Sequence, residues 1–161
     1  MQEQNDAKNT QDRDPRPGPL DGLLIADFSR VLAGPYCTML LADLGATVIK
    51  VESPAGDDTR SWMPPISKGV STYYLSINRN KRSLVLNFED AADLRLAHEL
   101  STRADILIEN FKPGGLKRFE LDYAAVQQRN AGITTPLSVA SEQRRGRPSP
   151  ATTLPCRRCQ G

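Results

Sequence analysis

Asp27-Phe28-Ser29-Arg30-Val31-Leu32-Ala33-Gly34-Pro35, residues 36–44 and then Gly45-Ala46-Thr47-Val48-Ile49-Lys50-Val51-Glu52 leave this chain few folds to choose from. The pattern is strand, tight loop, helix, strand. Residues 23–28 are an apolar run of strand length with Asp27 near its end. Gly34 can occupy a helix cap, and Pro35 at the first helical position sacrifices no hydrogen bond, because that N–H has no helical partner anyway. Met39, Leu40, Leu44 and Val48 follow at helix-then-strand spacing, and Gly45 stands where a helix C-cap belongs. Such a unit leaves free backbone N–H groups at the helix N-terminus, in the crevice where α/β proteins hold phosphorylated ligands. No common nucleotide fingerprint accompanies it.

Further along, residues 53–65 are a loop by their Pro, Gly and Asp content, and residues 72–77 are aromatic and lean toward strand. Asn78-Arg79-Asn80-Lys81-Arg82 is a polar turn, and residues 83–88 alternate as a strand does. Residues 87–90 open a helix with Ala92, Leu94, Leu96, Ala97 and Leu100 on its apolar side. Residues 104–110 form a buried-type strand ending in polar residues. Pro113-Gly114-Gly115 breaks the chain before a helical turn at 116–119 and a short helix at 123–128. Strands alternating with helices predict an α/β fold of βαβ units with a mainly parallel sheet.

The 161 residues suffice for one core, and the net charge of +2 hides an uneven distribution. Residues 131–161 carry five Arg and one Glu, which leaves residues 1–130 with 16 basic and 18 acidic side chains. That body implies no nucleic-acid face. Mean hydropathy is negative, and no apolar run reaches the roughly 18 residues of a membrane span. Residues 1–19 are polar, resemble neither a signal nor a transit peptide, and are expected to be a disordered tail. Three Cys without an export signal predict free thiols and a cytoplasmic location. Residues 131–161 hold no aromatic residue and only four Ile, Leu or Val, so they too are expected to be disordered. The ordered body is thereby placed at 20–130.

Several motifs in order carry a family resemblance: Arg30-Val31-Leu32-Ala33-Gly34-Pro35, the strand through Lys50-Val51-Glu52, Gly56-Asp57-Asp58-Thr59-Arg60, residues 73–83 around Asn78-Arg79-Asn80-Lys81-Arg82, and Glu109-Asn110-Phe111-Lys112-Pro113-Gly114. Over about residues 19–130 the chain resembles the front part of a class III CoA-transferase, the family of formyl-CoA, carnitine and succinate–hydroxymethylglutarate CoA-transferases and α-methylacyl-CoA racemase. The resemblance implies a Rossmann-like large domain, an interlocked homodimer, and coenzyme A, bound as acyl-CoA, along the strand ends, with no metal. By position, it implies that Arg30, Val31 and Ala33 line the CoA entrance. Leu86, Asn110, Phe111 and Arg118 would contact the adenine, ribose or pantetheine. Ser53 and Glu89 stand where some members have basic residues near the phosphates. Arg118 can equally be a solvated helix charge and Phe111 a packed core aromatic.

The chemistry implied by the resemblance needs an Asp nucleophile, which attacks the thioester and carries CoA as an aspartyl thioester between carboxylic acids. In the family that Asp belongs to a Gly-Tyr-Asp motif, and none occurs here, so no catalytic residue is assigned and the chain is expected to be inactive alone. The genetic code adds a reason. Pro150-Ala151-Thr152-Thr153, read from the third base of the Pro codon, permits Gly-Tyr-Asp, and Ala140-Ser141-Glu142 permits Gly-Phe-Gly. A frame change near codons 131–136 would thus convert the family's continuation into the observed tail, leaving a fragment unable to form the homodimer. Racemase or CoA-ester hydrolase chemistry within the family, and a non-enzymic nucleotide- or partner-binding module, are the competing readings. Cys156-Arg157-Arg158-Cys159 lacks a second ligand pair for zinc, with His98 the only histidine. Cys37 is expected to be a small buried helix residue.

Overall fold

The computed structural model describes residues 17–135. β1 (Leu24–Asp27) leads through α1 (Ala33–Asp43) into β2 (Thr47–Glu52), and the strands pair in parallel with Asp27 opposite Lys50. A 3-10 turn (Asp58–Ser61), a two-residue-per-strand hairpin of β3 (Ile66–Ser67) and β4 (Val70–Ser71), and α2 (Thr72–Ile77) then carry the chain to β5 (Arg82–Val85). α3 (Ala91–Arg103) returns it to β6 (Ile106–Ile108), and α4 (Tyr123–Arg129) follows a second 3-10 turn at Lys117–Phe119. The main sheet has the order β5-β2-β1-β6, all parallel. β1 therefore has strands leaving it in both directions, which opens a crevice at the carboxyl ends.

Strand alternation assigns the two faces. Ala26 and Phe28 join Val51, Leu86, Ala97, Leu107, Leu121 and Val126 on the side of α3 and α4, whereas Ile25, Val48 and Ile108 pack with Ala42 of α1 on the other. Leu107, Leu121 and Val126 are almost wholly buried, each worth about 1.5–3 kcal/mol relative to exposure. Both faces are covered, as a parallel sheet requires.

Local chemistry sets the helix ends. Asp90 accepts from the N–H groups of Ala92 and Asp93 and starts α3. Gly45, at φ +104°, ends α1: its N–H bonds Ala42 O, and that of Ala46 bonds Leu41 O. Gly34, expected at the cap, lies inside the first turn, and Leu32 is the N-cap. Glycine is needed there because a Cβ would overlap the Ser29 side chain.

Three expectations change. Residues 72–77 form a helix, since Ser71 accepts the Tyr73 N–H as an N-cap and a helical turn buries Tyr74 and Ile77. Cys37 is exposed on α1, because its face of the helix points away from the sheet. The chain also keeps its structure past residue 130: Ile133 is buried, and Thr134 bridges Ile106 in parallel through Leu107 N to Thr134 O (3.0 Å) and Thr134 N to Asp105 O (2.9 Å). The Cys156–Cys159 pair and the Pro150-Ala151-Thr152-Thr153 segment lie outside the described residues. Among the described residues, no helix is long and apolar enough to cross a membrane.

Candidate functional site

Charged side chains meet at the carboxyl ends of β1 and β2, in an interior that ordinarily excludes them. Lys50 is 1% exposed, and its ammonium donates to Ser29 O (2.9 Å) and to Asp57 (3.0 Å). Asp57 also accepts from Thr59 N and Oγ1, so burial, which would raise its pKa, is outweighed and the carboxyl is held below its usual range. Asp27 is fully buried and accepts from Ser29 Oγ, Thr38 Oγ1 (2.5 Å) and Lys81 Nζ (3.1 Å). Burial pushes Lys81 below its ordinary pKa, and the Asp27 charge opposes that.

Glu52 holds the other half of this knot. It receives Arg60 through Nε and Nη2 (both 2.7 Å), Tyr74 Oη (2.7 Å), Ser83 Oγ (2.9 Å) and the Asp57 N–H (3.0 Å). Burial works against its charge, yet these donors bring its pKa down to about 2. Burial, followed by the Glu52 carboxylate, raises the Tyr74 hydroxyl well above its normal value, so it stays a donor. No buried side-chain polar atom among the described residues lacks a partner. A satisfied network of this kind fixes geometry; it leaves no carboxylate free to attack a substrate.

Beside the knot lies a cleft of about 120 Å³ lined by residues that follow all four parallel strands: Phe28 and Arg30 after β1, Val51 to Pro54 along β2, Leu86 to Phe88 after β5 and Phe111 after β6. That volume is below the roughly 300–1,000 Å³ of sites enclosing a whole drug-sized ligand, so it suits one flat ring of a longer molecule. Its wall is aromatic: the Phe28 and Phe88 centroids are 5.8 Å apart, and Phe88 sits edge-on to Phe119 at 5.5 Å. The Arg30 guanidinium lies 5.1 Å from the Phe111 ring centroid. Arg30 is the one cation among the lining residues.

Of the residues singled out from the sequence, Arg30, Leu86 and Phe111 line this cleft. Asn110 brackets the Arg30 backbone, its Oδ1 accepting from Arg30 N (2.8 Å) and its Nδ2 donating to Arg30 O (2.6 Å). Val31 and Ala33 lie one and three residues past Arg30, outside the lining, where α1 opens without a side-chain cap. Arg118 is also outside it, stacked 4.3 Å above the Phe119 ring and paired with Glu89 at 2.7 Å, both side chains well exposed. Sequence reasoning missed the ionic knot. Its visible signal was Lys50 and Glu52, two charges at alternate positions of a strand otherwise apolar enough to be buried. No group of three His, Cys, Asp or Glu among the described residues could hold a metal ion.

Residues 20–135 match the family model for CoA-transferase family III. The chain is 51% identical over 111 residues to the succinyl-CoA:glutarate CoA-transferase of Mus musculus, a match covering 68% of this chain and 26% of that protein. It is 47% identical over 120 residues to the succinyl-CoA:mesaconate CoA-transferase of Haloarcula marismortui, covering 72% and 30% respectively. A crystal structure of a CAIB/BAIF family protein from Brucella suis superposes with a TM-score of 0.71 at 43% identity, covering 74% of this chain and 33% of that one. The chain thus spans about a quarter to a third of the length of the relatives it matches.

Proposed function

The chain belongs to CoA-transferase family III, and from that premise we propose that residues 20–135 form the CoA-binding front of an enzyme that moves CoA between carboxylic acids. The observation that carries this reading is the cleft: an aromatic and aliphatic wall with a single guanidinium, sized for one flat ring. An adenine ring stacks on such surfaces at roughly 1–3 kcal/mol per base. The remainder of CoA would run out over Arg30 and the start of α1. The phosphates find little preformed positive charge, since Ser53 is neutral, Glu89 is acidic and Arg118 is already paired with Glu89.

Within the reaction, these residues bind and orient the nucleotide end of the thioester. The ionic knot keeps the strand ends rigid beneath it. The acyl exchange itself, through a mixed anhydride and then an aspartyl-CoA thioester, requires an Asp that none of the 161 residues supplies within a Gly-Tyr-Asp motif. The buried carboxylates of Asp27, Glu52 and Asp57 are engaged by their partners and do not substitute for it. We therefore expect this chain to bind CoA and, by itself, to leave thioesters intact. The relatives' names, which pair succinyl-CoA with glutarate or mesaconate, favour dicarboxylic acids as donor and acceptor of the whole enzyme, a homodimer in this reading.

Calorimetric titration of the purified chain with CoA and with ATP tests the binding claim. Preference for CoA supports it, and equal or absent binding of both overturns it. The nucleotide sequence from codon 125 onward tests the frame change: bases other than G, T and G at the third positions of codons 150, 151 and 152 exclude it.

A further inference from the structure

Val31 has φ +69°, in the left-handed region that a β-branched residue avoids, because its Cβ substituents crowd the backbone there. The strain sits on the loop that places Arg30 over Phe111, and the loop is held from three sides. Asp27 accepts the N–H of Ser29 (3.0 Å), and Lys50 donates to Ser29 O (2.9 Å). Asn110 closes the third side by pairing with both the N–H and the O of Arg30 across 80 positions of sequence. A strained backbone persists only where its surroundings overdetermine it, and such strain gathers where a ligand is held.

We propose that Asn110 is a positioning residue of the CoA site: it acts through the Arg30 backbone, locking Val31 in its left-handed conformation and the Arg30 guanidinium over the ring of Phe111, its own chain neighbour. The proposal rests on the CoA reading given above. Asn110 has no other side-chain bond among the described residues, and both of its polar groups are spent on Arg30. It ties the β1 loop to the β6 loop at the point where the sheet order branches, so the two cleft walls are registered by one amide.

Two measurements test this. The first is thermal denaturation of Val31→Gly and Val31→Ala, made with Asn110 intact and again with Asn110→Ala. Glycine costs less than alanine only where φ is positive, so Val31→Gly should melt above Val31→Ala with Asn110 intact, and the order should vanish or reverse without it. A lower melting point for Val31→Gly with Asn110 intact, or the same order in both backgrounds, overturns the lock. The second is a double-mutant cycle on CoA affinity between Arg30→Ala and Asn110→Ala. Loss of two hydrogen bonds should weaken binding on the order of 10-fold. The double variant should bind no more weakly than Arg30→Ala, because Asn110 works through Arg30. Losses that multiply show direct ligand contact by Asn110 and overturn the positioning role. Should Asn110→Ala fail to fold, Asn110→Asp replaces it in both arms, keeping the acceptor for Arg30 N and removing the donor to Arg30 O. Absence of CoA binding by the wild type overturns the CoA reading and the binding half of the proposal together, while the thermal arm still decides the lock.

Discussion

Two charged clusters do opposite things: one reaches the cleft through Glu52, and the other lies outside its lining. Glu52 is buried, saturated with hydrogen bonds and tied at once to the turn at 57–60, to α2 and to β5. Outside the cleft lining, Glu89 and Arg118 form an ion pair at 2.7 Å whose side chains are 64% and 69% exposed. Water solvates the second pair in either state, so breaking it costs little, whereas depriving Glu52 of its donors strands its carboxylate in a low-dielectric interior. The buried cluster is therefore framework. The exposed pair is the one a phosphate can rearrange.

Removing Glu52 should separate the two clusters most sharply. Glu52→Ala leaves the Tyr74 hydroxyl and the Asp57 N–H without their acceptor, while Arg60, 38% exposed, can turn to water, and should cost about 2–4 kcal/mol, read as a drop in melting temperature. A melting point within a degree or two of wild type would show that the knot is not framework. Acid should act on the same group. Because the folded pKa of Glu52 is depressed to about 2 from 4.5, its contribution is complete above pH 4.5 and is lost as pH falls through about 2. That contribution is roughly 3 kcal/mol, and Asp57, also lowered, adds in the same direction. Denaturant midpoints measured from pH 6 to 2 should fall steeply in this window, and a flat profile would contradict the assignment.

The cleft side should show its effect in binding. Phe111→Ala should weaken CoA binding by about 1–3 kcal/mol, the loss of one stacking surface. Its half-buried position should spare the fold, which circular dichroism can check alongside the titration. Smallest of all, Glu89→Gln should shift stability by less than about 1 kcal/mol and should tighten CoA binding in low salt, where Arg118 is freed for phosphate. Weaker binding after that substitution would mean that Glu89 itself contributes to the site.

The cleft was partly legible beforehand because its contributors follow strand ends that local pattern reveals. Arg30, Leu86 and Phe111 each come just after an apolar run, where a parallel sheet collects its binding residues. The knot was only hinted at, because Lys50 and Glu52 interrupt a strand otherwise apolar enough to be buried but nothing local names the groups that hold them. The Lys50 partners, Ser29 and Asp57, sit 21 and 7 positions away, and Lys81 reaches Asp27 over 54. Asn110 was singled out as a ligand contact, but its place on the Arg30 backbone depends on how β1 and β6 align.

What the sequence by itself determined is the alternation of the parallel strands with α1 and α3 and two of the helix ends. Gly45 ends α1 through backbone freedom and Asp90 starts α3 through a side-chain cap, properties confined to a few neighbouring residues. Only the tertiary structure decided that residues 72–77 coil into a helix, that Cys37 faces outward, that Gly34 serves close packing against Ser29, and that Val31 is held at positive φ. Each of those outcomes turns on burial or on hydrogen bonds to distant residues, and their energies outweigh the fraction of a kcal/mol by which local propensities differ.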